Sequence, residues 1–402
     1  MTGKEIIDMT EEYGAHNYHP LPVVLTRGKG VWVWDSEGKK YIDMLSCYSA
    51  LNHGHRHPRL IKAVKDQIKK ITLTSRAFYN EQLGPLCKEL AELCNMEMVL
   101  PMNSGAEAVE TAIKIARKWG YKKKGISHYE AEIIVCENNF HGRTTTIVSF
   151  STEPLYRDEF GPFTPGFKII PFGDIDALEK AITPNTVAFL VEPIQGEAGI
   201  NVPPDGFLKK AYDICKKNNV LLMFDEIQTG LGRTGKLFAY QYEDGVRPDV
   251  LILGKALGGG IYPISAVVSS KDILGLFTWG EHGSTFGGNP LAAYIARVAL
   301  KVLVEEGLIQ NSYEMGNYFI EQLRKIKSQH IKEIRGRGLL IGLELYKEAG
   351  GARRFCEALM NEGLLCKETH DHVIRFAPPL NIKKREINFA IKKIEKVFKE
   401  LD

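Results

Sequence analysis

The sequence predicts an α/β fold, with a mostly parallel sheet in one large domain and a smaller α+β domain after it. Three observations carry this. Short apolar runs of strand length, at Glu132–Cys136, Val187–Val191, Val220–Phe224, Val250–Leu253 and Ser265–Ser269, alternate with segments of helical period. That is the pattern of parallel strands joined by crossovers. Two of the runs lead into a residue able to do chemistry, Asp225 and Lys255, and in open α/β sheets ligands bind beyond the carboxyl ends of strands. A chain of 402 residues also buries roughly 75% of its unfolded surface, enough for one large core and a second smaller one.

Taken in order, residues 1–52 read as an N-terminal segment packed with the small domain. Within it Gly30–Asp43 alternates apolar and polar residues around the turn SEGK, a hairpin, and the loop GAHNYHPLP precedes it. Residues 53–290 form the large domain. Pro58–Thr72, Glu81–Cys94 and Ala106–Trp119 carry apolar residues at helical spacing, with Ser104 and Gly105 just before the last, and Gly206–Asn218 is a further helix. Helix Pro290–Glu306 leaves it. Residues 291–402 form the small domain, with a strand pair over Ile334–Leu345, a helix over Ala352–Glu362, a strand at Val373–Phe376 and a final amphipathic helix, Lys383–Leu401.

A net charge of +3 leaves no basic groove for nucleic acid, and Lys122–Lys124 reads as a solvated loop or helix end. No apolar run is long enough to span a membrane, and the start has neither an h-region nor a transit-peptide composition, so a cytoplasmic location is expected. Seven scattered cysteines without paired spacing fit reduced thiols and imply no zinc site. His53, His55 and His57 alternate, but with no carboxylate or cysteine beside them they read as loop residues, and no metal is expected.

The chemistry centres on Lys255 and Asp225. A lysine against apolar walls loses charge and becomes a nucleophile and proton carrier. A carboxylate at a strand end is costly without a partner. An acid for a ring nitrogen and an amine that forms an imine are what pyridoxal phosphate requires. Plainer readings are a surface lysine and an Asp cap. Asp249 and Ala256 stand where a P-loop needs Gly and Ser or Thr, which excludes that loop. Gly230–Gly235, GLGRTG, matches the dinucleotide pattern, with Asp249 at the spacing of a ribose-binding acid. However, DEIQT separates it from the strand and no helix opens after it. Asn103–Ala106 opens a helix and suits a phosphate, or is a Ser cap boxed by Glu107. Phe140 could stack on a ring or pack core, and Arg143 and Arg375 suit carboxylates or surface ion pairs.

GAHNYHPLPVVL, TLTSRAFYN, NFHGRT, VEPIQGEAGI, DEIQTGLGRTG, LGKALGGGIYP, GEHGSTFGGNP and IRFAPPL together resemble the class III pyridoxal-phosphate-dependent aminotransferases, and within them the ornithine aminotransferases. The resemblance runs from about residue 14 to 380. It implies fold type I with a seven-stranded sheet, and GLGRTG becomes part of the family pattern. It implies that Lys255 holds the cofactor, Asp225 its ring nitrogen and Gln228 its phenolic oxygen. Phe140 would stack on the ring, Glu192 would support it, and Ser104, Gly105 and Ala106 would hold the phosphate. Thr285 would complete that cup from the other subunit of a homodimer. Tyr18, with Tyr48 nearby, would meet the α-amino group of ornithine, and Arg143 its carboxylate. Glu197 would cover Arg375 and release it for 2-oxoglutarate. His141, in place of a larger aromatic, and the Leu-Gly-Gly-Gly run after Lys255 are departures expected to touch none of these roles. Rival readings are an acetylornithine or 4-aminobutyrate aminotransferase and, more distantly, a nicotinamide-dependent oxidoreductase using GLGRTG.

Overall fold

Strands buried on both faces must be apolar at every position, and the central runs of this chain are. In a computed structural model describing residues 1–402, the N-terminal part supplies β1 (Leu25–Lys29), β2 (Trp32–Asp35) and β3 (Lys40–Asp43). The middle supplies β4 (Met98–Met102), β5 (Glu132–Cys136), β6 (Phe167–Ile170), β7 (Thr186–Val191), β8 (Leu221–Asp225), β9 (Val250–Leu253) and β10 (Ser265–Ser269). The C-terminal part supplies β11 (Ile331–Arg337), β12 (Leu340–Leu345), β13 (Leu364–Leu365), β14 (Lys367–Thr369) and β15 (Val373–Phe376).

The seven middle strands form one sheet in the order β4-β10-β9-β8-β7-β5-β6. Only β10 runs against its neighbours, so the sheet is mostly parallel. Successive residues enter opposite cores. Phe189, Leu222, Phe224, Leu251 and Leu253 join the larger apolar cluster, while Ala188, Leu190, Met223, Val250 and Ile252 join the smaller one on the other face. The helix Gly105–Trp119 covers the second face; Leu83–Cys94, Phe207–Lys217 and Pro290–Glu305 contribute to the first. A second sheet joins β1-β2-β3 to β13 of the C-terminal part, and a third has the order β11-β12-β15-β14.

Among the elements that escaped the sequence reading, four show why. The helix Gly3–Tyr13 is announced only by its Thr2/Glu5 capping box. β4 contains Pro101, tolerated because β4 is an edge strand. β6, four residues long, is the opposite edge. The helix Leu308–Leu323 is interrupted in sequence by Gly316, and the fold gives the reason. A Cβ there would lie 2.1 Å from the carbonyl of Gly338, so the turn between β11 and β12 presses on this helix at a glycine. The lysine run stands at a helix end, as expected, with Lys122 and Lys123 exposed. It forms a π turn whose Lys124 Nζ donates to Thr186 O (2.6 Å), tying the helix end to β7.

The GLGRTG segment is a seam. Arg233 is fully buried and donates to Leu339 O (2.9 Å), Pro378 O (2.6 Å) and Asn52 Oδ1 (2.6 Å), reaching all three parts of the chain. Asp249 accepts from Leu222 N (2.9 Å) and Lys216 Nζ (2.6 Å) and is occupied in holding strands. Neither residue is free for a nucleotide. Arg233→Met should lower unfolding free energy by about 3 kcal/mol or more, because buried acceptors are left unpaired. Urea unfolding monitored by tryptophan fluorescence measures this, and Arg233→Lys should recover less than half, since an ammonium lacks the planar fork.

Candidate active site

β8 and β9 end side by side, and their register pairs Asp225 with Ile252. Lys255, three residues on, therefore enters the same crevice as the carboxylate. Its backbone is left-handed (φ +42°), a conformation a non-glycine residue keeps only when its surroundings impose it. Together Lys255, Asp225, Gln228, Glu192, Glu197, Phe140, Gly105 and Ala106 line a cavity of about 190 Å³, joined by His141. Sequence reasoning had expected His141 to touch none of the named residues. That expectation is corrected: His141 Nδ1 donates to Asp225 Oδ2 at 2.7 Å, with both side chains buried.

The charges in this crevice hold one another in check. Burial, reinforced by Arg375, pushes the Lys255 amine below the usual lysine range despite the nearby carboxylates. Burial also raises Glu192 to about 7, and its Oε1 accepts the Phe140 N–H at 2.9 Å. Glu197 goes the other way. Burial opposes its charge, but Arg375, Lys255 and Gln228 outweigh that and bring it to about 2. Its Oε1 accepts from Arg375 Nη1 and from Gln228 Nε2, each at 2.7 Å. Burial disfavours a charged His141, but the hydrogen bond and charge of Asp225 prevail and raise it.

Phe140, His141 and Arg143 ride one loop, and Gly142 makes its path possible. Gly142 has φ +134°, and a Cβ there would lie 2.9 Å from Ala106 Cβ, so the loop closes against the helix start only with glycine. Arg143 is exposed at the mouth. Its guanidinium carbon lies 4.4 Å from the Tyr156 ring centre and 5.8 Å from those of Tyr18 and Phe140. Tyr156 lies in a segment, STEPLYRD, without any motif, and sequence reasoning missed it. Arg375 is buried, with its guanidinium 5.0 Å from the Tyr48 ring.

Other expected residues stand at the edges. Ser104 caps the helix Gly105–Trp119 through a box with Glu107, as the plainer reading had it, and lines an adjoining cavity of about 320 Å³ with Lys255. The N–H groups of Gly105 and Ala106 have no acceptor in the chain. Tyr18 and Tyr48 line a third cavity of about 550 Å³. Thr285 is exposed and lines none of the three. Each of the three alternating histidines goes its own way: His53 to Ala299 O, His55 to Asp43, His57 to Glu306.

A phosphorylated pyridine aldehyde fits this crevice. Gly105 and Ala106 offer free N–H groups to an anion, and buried Gln228 Oε1 and His141 Nε2 lack partners. A Cβ at Gly105 would come within 3.1 Å of Ile227, so the wall is already close.

Residues 13–398 match the family model described as aminotransferase class-III. The chain is 64% identical over 394 residues to a protein of Geobacillus sp. (strain WCH70) named ornithine aminotransferase, covering 98% of each. It is 60% identical to the Bacillus subtilis (strain 168) protein of the same name, again covering 98% of each. Among solved structures, an ornithine aminotransferase from Toxoplasma gondii, described with partial occupancy of PLP at its active site, superposes with a TM-score of 0.98. It is 47% identical, with 100% of this chain and 95% of that one covered. An acetylornithine aminotransferase from Elizabethkingia anophelis superposes with a TM-score of 0.91 at 49% identity, covering 100% of both.

Glu197→Gln would leave buried Arg375 without its counter-charge and should cost about 3–5 kcal/mol at neutral pH. Glu197 sits at about 2 against an ordinary 4.5, so its contribution is present above pH 4.5 and lost as pH falls toward 2. Denaturation midpoints of the two proteins should keep a constant gap from pH 8 to 5 and converge below it.

Proposed function

Because the chain belongs to the class-III aminotransferases, which are pyridoxal-phosphate-dependent enzymes, we propose that it moves the δ-amino group of L-ornithine to 2-oxoglutarate. The products are glutamate 5-semialdehyde, which cyclises to pyrroline-5-carboxylate, and L-glutamate. The observation that carries the reading is the pair of arginines in opposite states: Arg375 covered by Glu197 at 2.7 Å, Arg143 braced by rings alone. Identity of 60–64% to proteins named ornithine aminotransferase, over 98% of each chain, supports it.

When bound, pyridoxal phosphate supplies a carbonyl that captures amines and a ring that takes up an electron pair. Lys255 would hold it covalently, and its Nζ, whose charged form burial disfavours, would take the proton from the δ-carbon of ornithine. Asp225 would face the ring nitrogen, oriented by His141, and Gln228 would face the phenolic oxygen. Phe140 would lie against the ring, its backbone held by Glu192. Ser104, Gly105 and Ala106 would receive the phosphate, with Thr285 entering from a second copy in a homodimer whose three parts are 1–52, 53–290 and 291–402.

The two substrates impose opposite demands. Ornithine keeps its carboxylate far from the reacting amine, where Arg143 reads it bidentately beside Tyr18. 2-Oxoglutarate carries a carboxylate next to the reacting carbon, where Arg375 stands. Glu197 masks Arg375 against the wrong presentation of ornithine and yields it to the keto acid. An acetylated donor is the second reading, favoured by the Elizabethkingia likeness. Exposed Tyr18 beside Arg143 favours the free α-amine.

Ornithine should exceed N-acetylornithine and 4-aminobutyrate in kcat/KM, with 2-oxoglutarate as acceptor; a preference for the acetylated donor overturns the assignment. Arg143→Ala should lower kcat/KM for ornithine about 100-fold, the order of one lost bidentate ion pair, and leave the reaction with 2-oxoglutarate unchanged. Arg375→Ala should do the reverse, measured in separate half-reactions. The yellow colour of the loaded protein should vanish in Lys255→Ala.

A further inference from the structure

Seven of the seventeen arginines of this chain are paired with acids. Arg59, Arg297, Arg335, Arg353 and Arg375 each meet a carboxylate within 3.5 Å. Arg143 does not. It forms no salt bridge and no side-chain hydrogen bond in the chain, although it stands at the mouth of the crevice. What surrounds it is aromatic: Tyr156 at 4.4 Å, Tyr18 and Phe140 at 5.8 Å. A ring face attracts a guanidinium without using any of its five N–H donors. Acid-braced arginines give a carboxylate ligand a competitor; a ring-braced one does not.

Tyr156 is the nearest of the three rings and the one fixed from outside the pocket. It sits in the single turn Pro154–Arg157, which Glu153 caps at Leu155 N (3.3 Å) and Arg157 Nη1 ties to Ser151 O (3.2 Å). That segment is fastened to the loop bearing Arg143. Asn138 N donates to Thr152 Oγ1 (2.8 Å), and Asn139 Nδ2 to Phe150 O (3.0 Å). Tyr156 also meets the Phe140 ring edge-on at 5.7 Å. One side chain therefore touches both the ring that walls the cavity and the arginine at its mouth.

We propose that Tyr156 is a positioning residue for the amino donor: its ring face holds the Arg143 guanidinium in place with all donors free for a distal carboxylate. The inference rests on the assignment of Arg143 to the ornithine carboxylate. It makes the donor half of the reaction, and not the acceptor half, sensitive to a residue that touches neither substrate nor reacting atoms.

The test separates the two halves of the reaction in the pyridoxal-phosphate-loaded enzyme. Tyr156→Ala should raise KM for ornithine about tenfold, the order of a partly desolvated cation–π contact, with kcat changed less than about threefold. Reaction of the amino-loaded enzyme with 2-oxoglutarate should change less than about twofold. Tyr156→Phe, which keeps the face and loses the hydroxyl, should restore the KM. Arg143→Ala/Tyr156→Ala should be no worse than Arg143→Ala alone, since the second change acts through the first. An unmoved KM in Tyr156→Ala, a Phe variant as impaired as Ala, or additive losses in the double variant each overturn the proposal. If Arg143→Ala itself leaves the KM for ornithine unmoved, the assignment of that arginine fails, and this inference with it.

Discussion

Six ionisable side chains share one crevice largely cut off from water, and the structure depends on their cancelling. Asp225 is answered by His141, and Arg375 by Glu197. That leaves Lys255 and Glu192, and burial drives both toward their neutral forms. An isolated charge in such a place costs several kcal/mol, so no member can be read alone. The same balance disfavours the charged form of Lys255 and favours the charged form of Glu197 beside Arg375. The strands that end here are apolar on both faces and cannot adjust. The loop Asn138–Arg143 contributes His141 against Asp225 and the Phe140 N–H against Glu192.

The strands and helices were legible because burial writes itself in periodicity. β5, β9, β10 and β15 fall on the residues that their apolar patterns single out, and the seven-stranded sheet follows from their alternation with helices. What the sequence concealed are contacts between distant segments. Nothing in a run of residues says that His141 will meet Asp225, 84 positions away, or that Tyr156 will lie over Arg143. Gly316 sits inside a helix because the backbone that needs its missing Cβ belongs to a distant hairpin, which nothing in the residues around it announces. The chemistry of Lys255 and Asp225 was legible for a different reason: both follow strands directly, where the fold leaves room for a ligand. Thr285 lines neither of the two cavities described beside Lys255.

GLGRTG shows how a motif can be matched in letters and not in use. Its glycines serve close packing: a Cβ on Gly235 would come within 2.8 Å of the Tyr313 backbone. Its arginine is consumed by three carbonyl groups, one of them from an asparagine side chain. The site and the C-terminal part are joined through this loop and through the Glu197–Arg375 pair, so Arg375 is mounted on a different sheet from the strands that lead into Asp225 and Lys255.

The parallel pairing of β3 with β13 bears on how the polypeptide emerges during synthesis. Ile42 and Leu364 are partners although 322 positions separate them (364 − 42). At roughly 5–20 residues per second, the ribosome needs roughly 16–64 s to supply the second strand after the first. Over that interval the leading hairpin presents an unpaired edge to solvent or to whatever chaperone shields it. The first strands made are thus among the last to be enclosed, and nascent-chain proteolysis would find them open until the tail has left the tunnel.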